Sequence, residues 1–178
     1  GSEGDFPNEG FPYLSAKHVA VAEVPVLAVR ISYVGELGWE LFVPTENAVR
    51  VWETLWEAGQ PLGVAPMGVG AQDSLRLEKG YRLWGQDIHT EYNPYEAGIG
   101  FAVRLKKGDF IGRDALVRLR SENLTRKLCC MTLDDPDAVV LGKEPILRGD
   151  DVLGYVSSAG YGYSIGRGIV YGYLPMEH

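Results

Sequence analysis

A chain of 178 residues, 46% hydrophobic and 23% charged, is long enough to bury a core and short enough to form one ordinary domain or two small ones. A formal charge of -7 and a pI near 5.0 leave no broad basic surface for a phosphate backbone or anionic headgroups, which argues against nucleic acid and membrane partners. No stretch reaches the ~20 apolar residues of a membrane-spanning helix, and the N-terminus lacks the basic-then-apolar layout of a secretory signal.

The chain opens Gly1-Ser2 without an initiator Met and stops at Met176-Glu177-His178 after an apolar run, so it reads as a piece of a longer protein. Residues 3–22, rich in Gly, Pro and Glu, predict an irregular entry segment. From Val26 a period of two sets in. Leu27, Val29, Ile31 and Tyr33 alternate with Ala28, Arg30 and Ser32, which predicts a half-buried strand. A second strand, Trp39 to Val43, follows Gly35-Glu36-Leu37-Gly38, and the pair reads as a hairpin. A four-residue loop sets Tyr33 directly opposite Glu40, with Cβ atoms roughly 5 Å apart on one face.

Thr45 is the expected N-cap of an amphipathic helix carrying Ala48, Trp52, Leu55 and Trp56 and ending at Gly59. A second helix is expected from about Gly68 to Lys79, with Gly80 as its stop. Asn93-Pro94 breaks the chain, Ile99 to Leu105 predicts a strand, and Gly112 to Leu119 a short helix. From Lys127 the runs Leu128–Leu133, Val152–Ser157 and Ile169–Leu174, separated by glycines, predict a small antiparallel barrel. The fold class is therefore α+β followed by a β-barrel, with domains at 1–122 and 123–178.

Metal chemistry has little support, because His18, His89 and His178 lie far apart and no Cys or His pair has ligand spacing. Cys129 and Cys130 are neighbours and cannot staple distant segments, so a reduced compartment is expected: cytoplasmic, or the mitochondrial matrix for a eukaryotic source. Gly68-Val69-Gly70 and Gly160-Tyr161-Gly162 lack the third glycine and the strand–turn–helix setting of a dinucleotide site, and no phosphate loop or nucleophile elbow is present. The many tyrosines fit barrel packing better than base stacking in so acidic a chain.

Two runs, Tyr33-Val34-Gly35-Glu36-Leu37-Gly38-Trp39-Glu40 and Asp73-Ser74-Leu75-Arg76-Leu77-Glu78-Lys79-Gly80, resemble the aminomethyltransferase T-protein of the glycine cleavage system. Gly80-Tyr81-Arg82-Leu83-Trp84-Gly85-Gln86-Asp87-Ile88 and Pro94-Tyr95-Glu96-Ala97-Gly98 bring the likeness closest to the folate-binding regions of dimethylglycine and sarcosine dehydrogenases. The resemblance runs from about residue 6 to the end.

It implies that Tyr33 and Glu40 contact the pterin ring of tetrahydrofolate, the carboxylate accepting N–H bonds while the phenol offers a ring face. Gln72 stands where the family carries an Arg that also holds folate, so a permanent charge there is replaced by a neutral amide. The family's catalytic Asp belongs to an N-terminal segment outside these residues, so no catalytic residue is assigned and negligible turnover is expected. Any FAD would belong to a fused flavin domain, also outside these residues. The implied partners are folate, a methylated amine donor and the N-terminal remainder of the same protein. The alternative reading is a non-catalytic interaction or regulatory module that keeps the fold.

Overall fold

The computed structural model describes residues 6–177, and the chain divides into two compact units, one up to Gln72 and the other from Asp73. In the first, β1 (Ala16–Val21), β2 (Val24–Val29) and β3 (Glu40–Phe42) form an antiparallel sheet in the order β1-β2-β3. The strand β1 lies in the segment expected to be irregular. Its hairpin to β2 turns on Ala22 and Glu23, both with positive φ (52° and 63°), the backbone of a two-residue primed turn. That turn normally announces itself through Asn-Gly or Asp-Gly, and Ala-Glu gives no such signal.

The strand β2 is half-buried, as its period of two predicts. Val24, Val26 and Ala28 are buried, and Arg30 beyond the strand end continues their parity, whereas Leu27 and Val29 are half-buried. Both sets are apolar along this strand, so alternation alone does not choose a face; the helix α1 (Ala48–Gly59) chooses it, by placing Val51 against Val21, Val24 and Val26. Sheet and helix thus share one small core, with Leu41 and Val43 at its margin.

The hairpin register also differs from expectation. Glu40 pairs with Val29, Leu41 with Ala28 and Phe42 with Leu27, so the residue opposite Glu40 is Val29 and Tyr33 lies within a loop of ten residues, 30–39. The ladder stops because the Ile31 N–H donates to the Val29 carbonyl, 3.1 Å away, instead of crossing to the neighbouring strand.

Thr45 opens a short 3-10 turn, Thr45–Asn47, ahead of α1 and makes no side-chain cap. Of the expected apolar stripe on α1, Trp52 is 61% exposed and Leu55 44% exposed, while Val51 is the buried residue. Trp52 and Trp56 stack on each other, ring centroids 6.2 Å apart, and with Val64, Pro66 and Met67 they line a groove of about 290 Å³.

The unit division falls inside α2 (Val69–Glu78), which ends as expected at Gly80, a residue with φ of 80° whose N–H bonds the Leu77 carbonyl. In the second unit, Ile99 to Leu105 is not a strand. Gly100–Ala102 forms a 3-10 turn closed by the Ala102 and Val103 N–H groups, so local bonds take the donors that a ladder would use. The short helix α3 covers Arg113–Ser121.

Strands β4 (Arg126–Thr132), β5 (Pro145–Arg148), β6 (Asp151–Gly162) and β7 (Arg167–Pro175) form an antiparallel sheet in the order β4-β7-β6-β5, an arrangement that does not close on itself. Its core joins Leu128, Ile169, Tyr171 and Tyr173 to Leu77 of α2. Close packing explains two glycines here: a Cβ on Gly172 would meet the Tyr155 carbonyl oxygen at 2.8 Å, and one on Gly154 would strike the Tyr173 carbonyl.

Candidate folate-binding site

The three residues that the resemblance assigns to folate all belong to the first unit. Tyr33 is half-buried in loop 30–39, Glu40 is exposed on the first rung of β3, and Gln72 is half-buried on α2. The phenol and the carboxylate are therefore not a facing pair across a tight turn. They belong instead to a loop and to the rung on which it lands.

That loop is compact despite its length. A Cβ on Gly38 would lie 2.8 Å from the Ile31 carbonyl oxygen and 2.9 Å from the Ser32 Cβ, so the two legs touch just inside the loop's base. The Val34 N–H donates to Ser32 Oγ at 3.2 Å, and Gly35 takes φ of 77°, which only glycine adopts without strain. Together these constraints turn the chain sharply around Tyr33. Glu40 forms no ion pair among the described residues, so its carboxylate is unspent and available to a ligand with several N–H donors.

Beneath the loop sits a residue that sequence analysis did not single out. Arg30 is only 9% exposed; its Nη1 donates to the Phe11 carbonyl at 2.6 Å and its guanidinium lies 5.4 Å from the centre of the Trp39 ring. Trp39 is packed edge-on by Phe11, with ring centroids 4.5 Å apart, and by Phe6 at 5.3 Å. The only signal in the sequence was a lone cation on the parity of Val26 and Ala28.

The Asp73–Gly80 run is framework. Arg76, 1% exposed, donates to Asp73 at 2.6 Å, Asp87 at 2.8 Å, Ser158 Oγ at 2.9 Å and the Tyr81 carbonyl at 3.2 Å. Burial by itself would pull this guanidinium down; the bond to Asp73 and the charge of Asp87 outweigh it, and the net direction is up. Asp87 is wholly buried and accepts from Arg76, the Leu83 N–H and Ser157 Oγ. Tyr171 and Tyr173 donate to the carbonyls of Leu77 and Asp87, and burial raises both phenols above their ordinary range.

Among the described residues no group of three or more His, Cys, Asp or Glu is clustered to hold a metal, and no helix is long and apolar enough to cross a membrane. Cys129 and Cys130 are both free thiols.

Comparison with known proteins gives one family at both ends of the chain. The GCVT N-terminal domain matches residues 2–107, and the glycine cleavage T-protein C-terminal barrel domain matches residues 126–178. Human mitochondrial dimethylglycine dehydrogenase is 39% identical over 174 residues, covering 97% of this chain and 20% of that protein. An aminomethyltransferase of Symbiobacterium thermophilum is 42% identical over 169 residues, covering 94% of this chain and 45% of its own length. The crystal structure of the glycine cleavage system aminomethyltransferase T from Bartonella henselae superposes with a TM-score of 0.77 at 28% identity, over 85% of this chain and 42% of that one. The chain thus spans from a fifth to under a half of the length of these relatives.

Proposed function

The chain belongs to the glycine cleavage T-protein family, and on that premise we propose that it is the tetrahydrofolate-gripping part of a one-carbon transferase module, within a protein of the dimethylglycine or sarcosine dehydrogenase kind. The observation that carries this reading is the unspent carboxylate of Glu40, fixed by its rung to Val29 at the foot of the loop that holds Tyr33. The pterin of tetrahydrofolate presents an amino group and a ring N–H side by side, and a carboxylate accepts from both in one plane. Tyr33 supplies a ring face and a hydroxyl, and Gln72 a neutral amide where the family pattern carries a cation.

The folate, once bound, supplies the nitrogen that accepts a one-carbon unit at the formaldehyde level. These residues bind and orient it; they move no proton themselves. The catalytic Asp and any FAD belong to sequence outside these 178 residues, so the chain assayed alone turns over negligibly. The donor is a methylated amine. The domain limits of this reading are 1–122 and 123–178.

Calorimetric titration with tetrahydrofolate tests the reading. Micromolar binding that Glu40→Ala abolishes and Glu40→Gln weakens supports it. An unchanged affinity in Glu40→Ala removes it.

A further inference from the structure

Arg30 is a buried cation held by one carbonyl and one indole ring. Among the described residues its charge has no carboxylate partner, and its Nε–H, also buried, has no acceptor. Burying an uncompensated guanidinium works against folding, and an apolar side chain of similar reach would avoid that cost. Departures of this kind from what stabilises a fold concentrate where a site must be held in shape.

The surroundings of Arg30 say what it holds. Its own backbone closes the base of the β1–β2 hairpin: its N–H donates to the Ser15 carbonyl at 2.9 Å, and its carbonyl accepts from the Leu14 N–H at 3.0 Å. From that fixed point the guanidinium reaches Phe11 of the entry segment and the ring of Trp39. Residues 30 and 39 are the two feet of loop 30–39, so one side chain ties foot to foot and both to a third segment. Trp39 directly precedes Glu40, and it is half-buried under Arg30 and Phe11 while Glu40 is exposed. Successive side chains on extended backbone point to opposite faces, so pinning Trp39 inward directs Glu40 outward.

We propose that Arg30 is a positioning residue for the folate site, clamping loop 30–39 through Trp39 and Phe11 so that Tyr33 and Glu40 are presented together. This rests on the folate reading given above. The clamp is a cation on a ring plus one charged hydrogen bond, two contacts that order a loop without merging it into the sheet.

The test uses the whole chain with Arg30→Met and Arg30→Lys, read by amide hydrogen exchange and by tetrahydrofolate titration. In Arg30→Met, amides 31–39 exchange at least about tenfold faster while those of the β1–β2 rungs keep their protection, and tetrahydrofolate binds about tenfold more weakly, the effect expected for one charged hydrogen bond. Arg30→Lys keeps a cation against Trp39 and restores part of both. If Arg30→Met does not fold, Arg30→Lys and Trp39→Leu give the same readout. Unchanged exchange in 31–39, or equal acceleration across 16–42, overturns the clamp. An affinity that Glu40→Ala leaves unchanged overturns the folate reading instead, and the exchange data still decide the clamp separately.

Discussion

Each compact unit buries an arginine, and the two are accommodated in opposite ways. Arg76 in the second unit lies between two carboxylates, a hydroxyl and a carbonyl, with the Tyr171 ring 5.7 Å away, and every nitrogen has an acceptor. Arg30 in the first unit has one carbonyl, one indole face and an orphaned N–H. A fully satisfied buried ion pair fixes one arrangement of the segments that supply it. Arg30, held by one carbonyl and one indole face, ties a loop to its neighbours through two contacts and leaves that loop outside the sheet.

The contrast can be broken at its strongest point first. Asp87→Ala strands the Arg76 charge in the core and should cost about 3–5 kcal/mol in a denaturant titration, since removing one partner of a buried pair leaves the other uncompensated. A loss below about 1 kcal/mol would mean that Asp73 alone suffices and that the network is not a framework. Tyr171→Phe removes only the hydroxyl bonded to the Leu77 carbonyl at 2.6 Å; about 0.5–1.5 kcal/mol is expected, the net worth of one hydrogen bond, because that carbonyl keeps the Gly80 N–H as a donor.

In the first unit the expected stability effects are smaller and the functional ones larger. Arg30→Met should change folding stability by less than about 2 kcal/mol in the same titration, the lost contacts being offset by removal of an unpaired charge. A loss as large as that of Asp87→Ala would erase the distinction between the two arginines. Gly38→Ala pushes a methyl into the Ile31 carbonyl and Ser32, so the legs of the loop must part; it should weaken tetrahydrofolate while leaving the β1–β2 rungs protected from exchange.

The smallest effect is one of pH. Glu78 accepts from the hydroxyl and the N–H of Ser164 at the tip of the β6–β7 hairpin, and these bonds hold its carboxyl below the usual 4.5. Because the folded value is the lower one, the contribution is complete above pH 4.5 and is lost as pH falls through the depressed value. Protection of the Ser164 amide should fall in that acid range in the native chain and show no such step in Glu78→Gln.

Much of this was legible locally. The helix ending at Gly80, the helix near 113–121 and the strands β4, β6 and β7 follow from apolar spacing and glycine stops, each set by neighbours within a few residues, whereas β5 was not foreseen. The family was legible because the Tyr33–Glu40 and Asp73–Gly80 runs keep their order and spacing. The site's geometry was not. The facing register expected of Tyr33 and Glu40 failed, because a ladder's end depends on where each donor finds its acceptor, and the Ile31 N–H found one locally.

By itself, then, the sequence determined where the three α-helices lie, three of the four strands of the second sheet, and which family the chain joins, since short-range sterics and spacing carry that information. Only tertiary packing decided which face of β2 is buried and that Arg30 packs inward against Trp39, while local bonds that spacing did not reveal made the Ala22-Glu23 turn and the 3-10 turn at Gly100–Ala102. The physical reason is shared by all four: each local pattern allowed two outcomes of similar energy, and contacts with residues distant in sequence, or with competing acceptors, selected one.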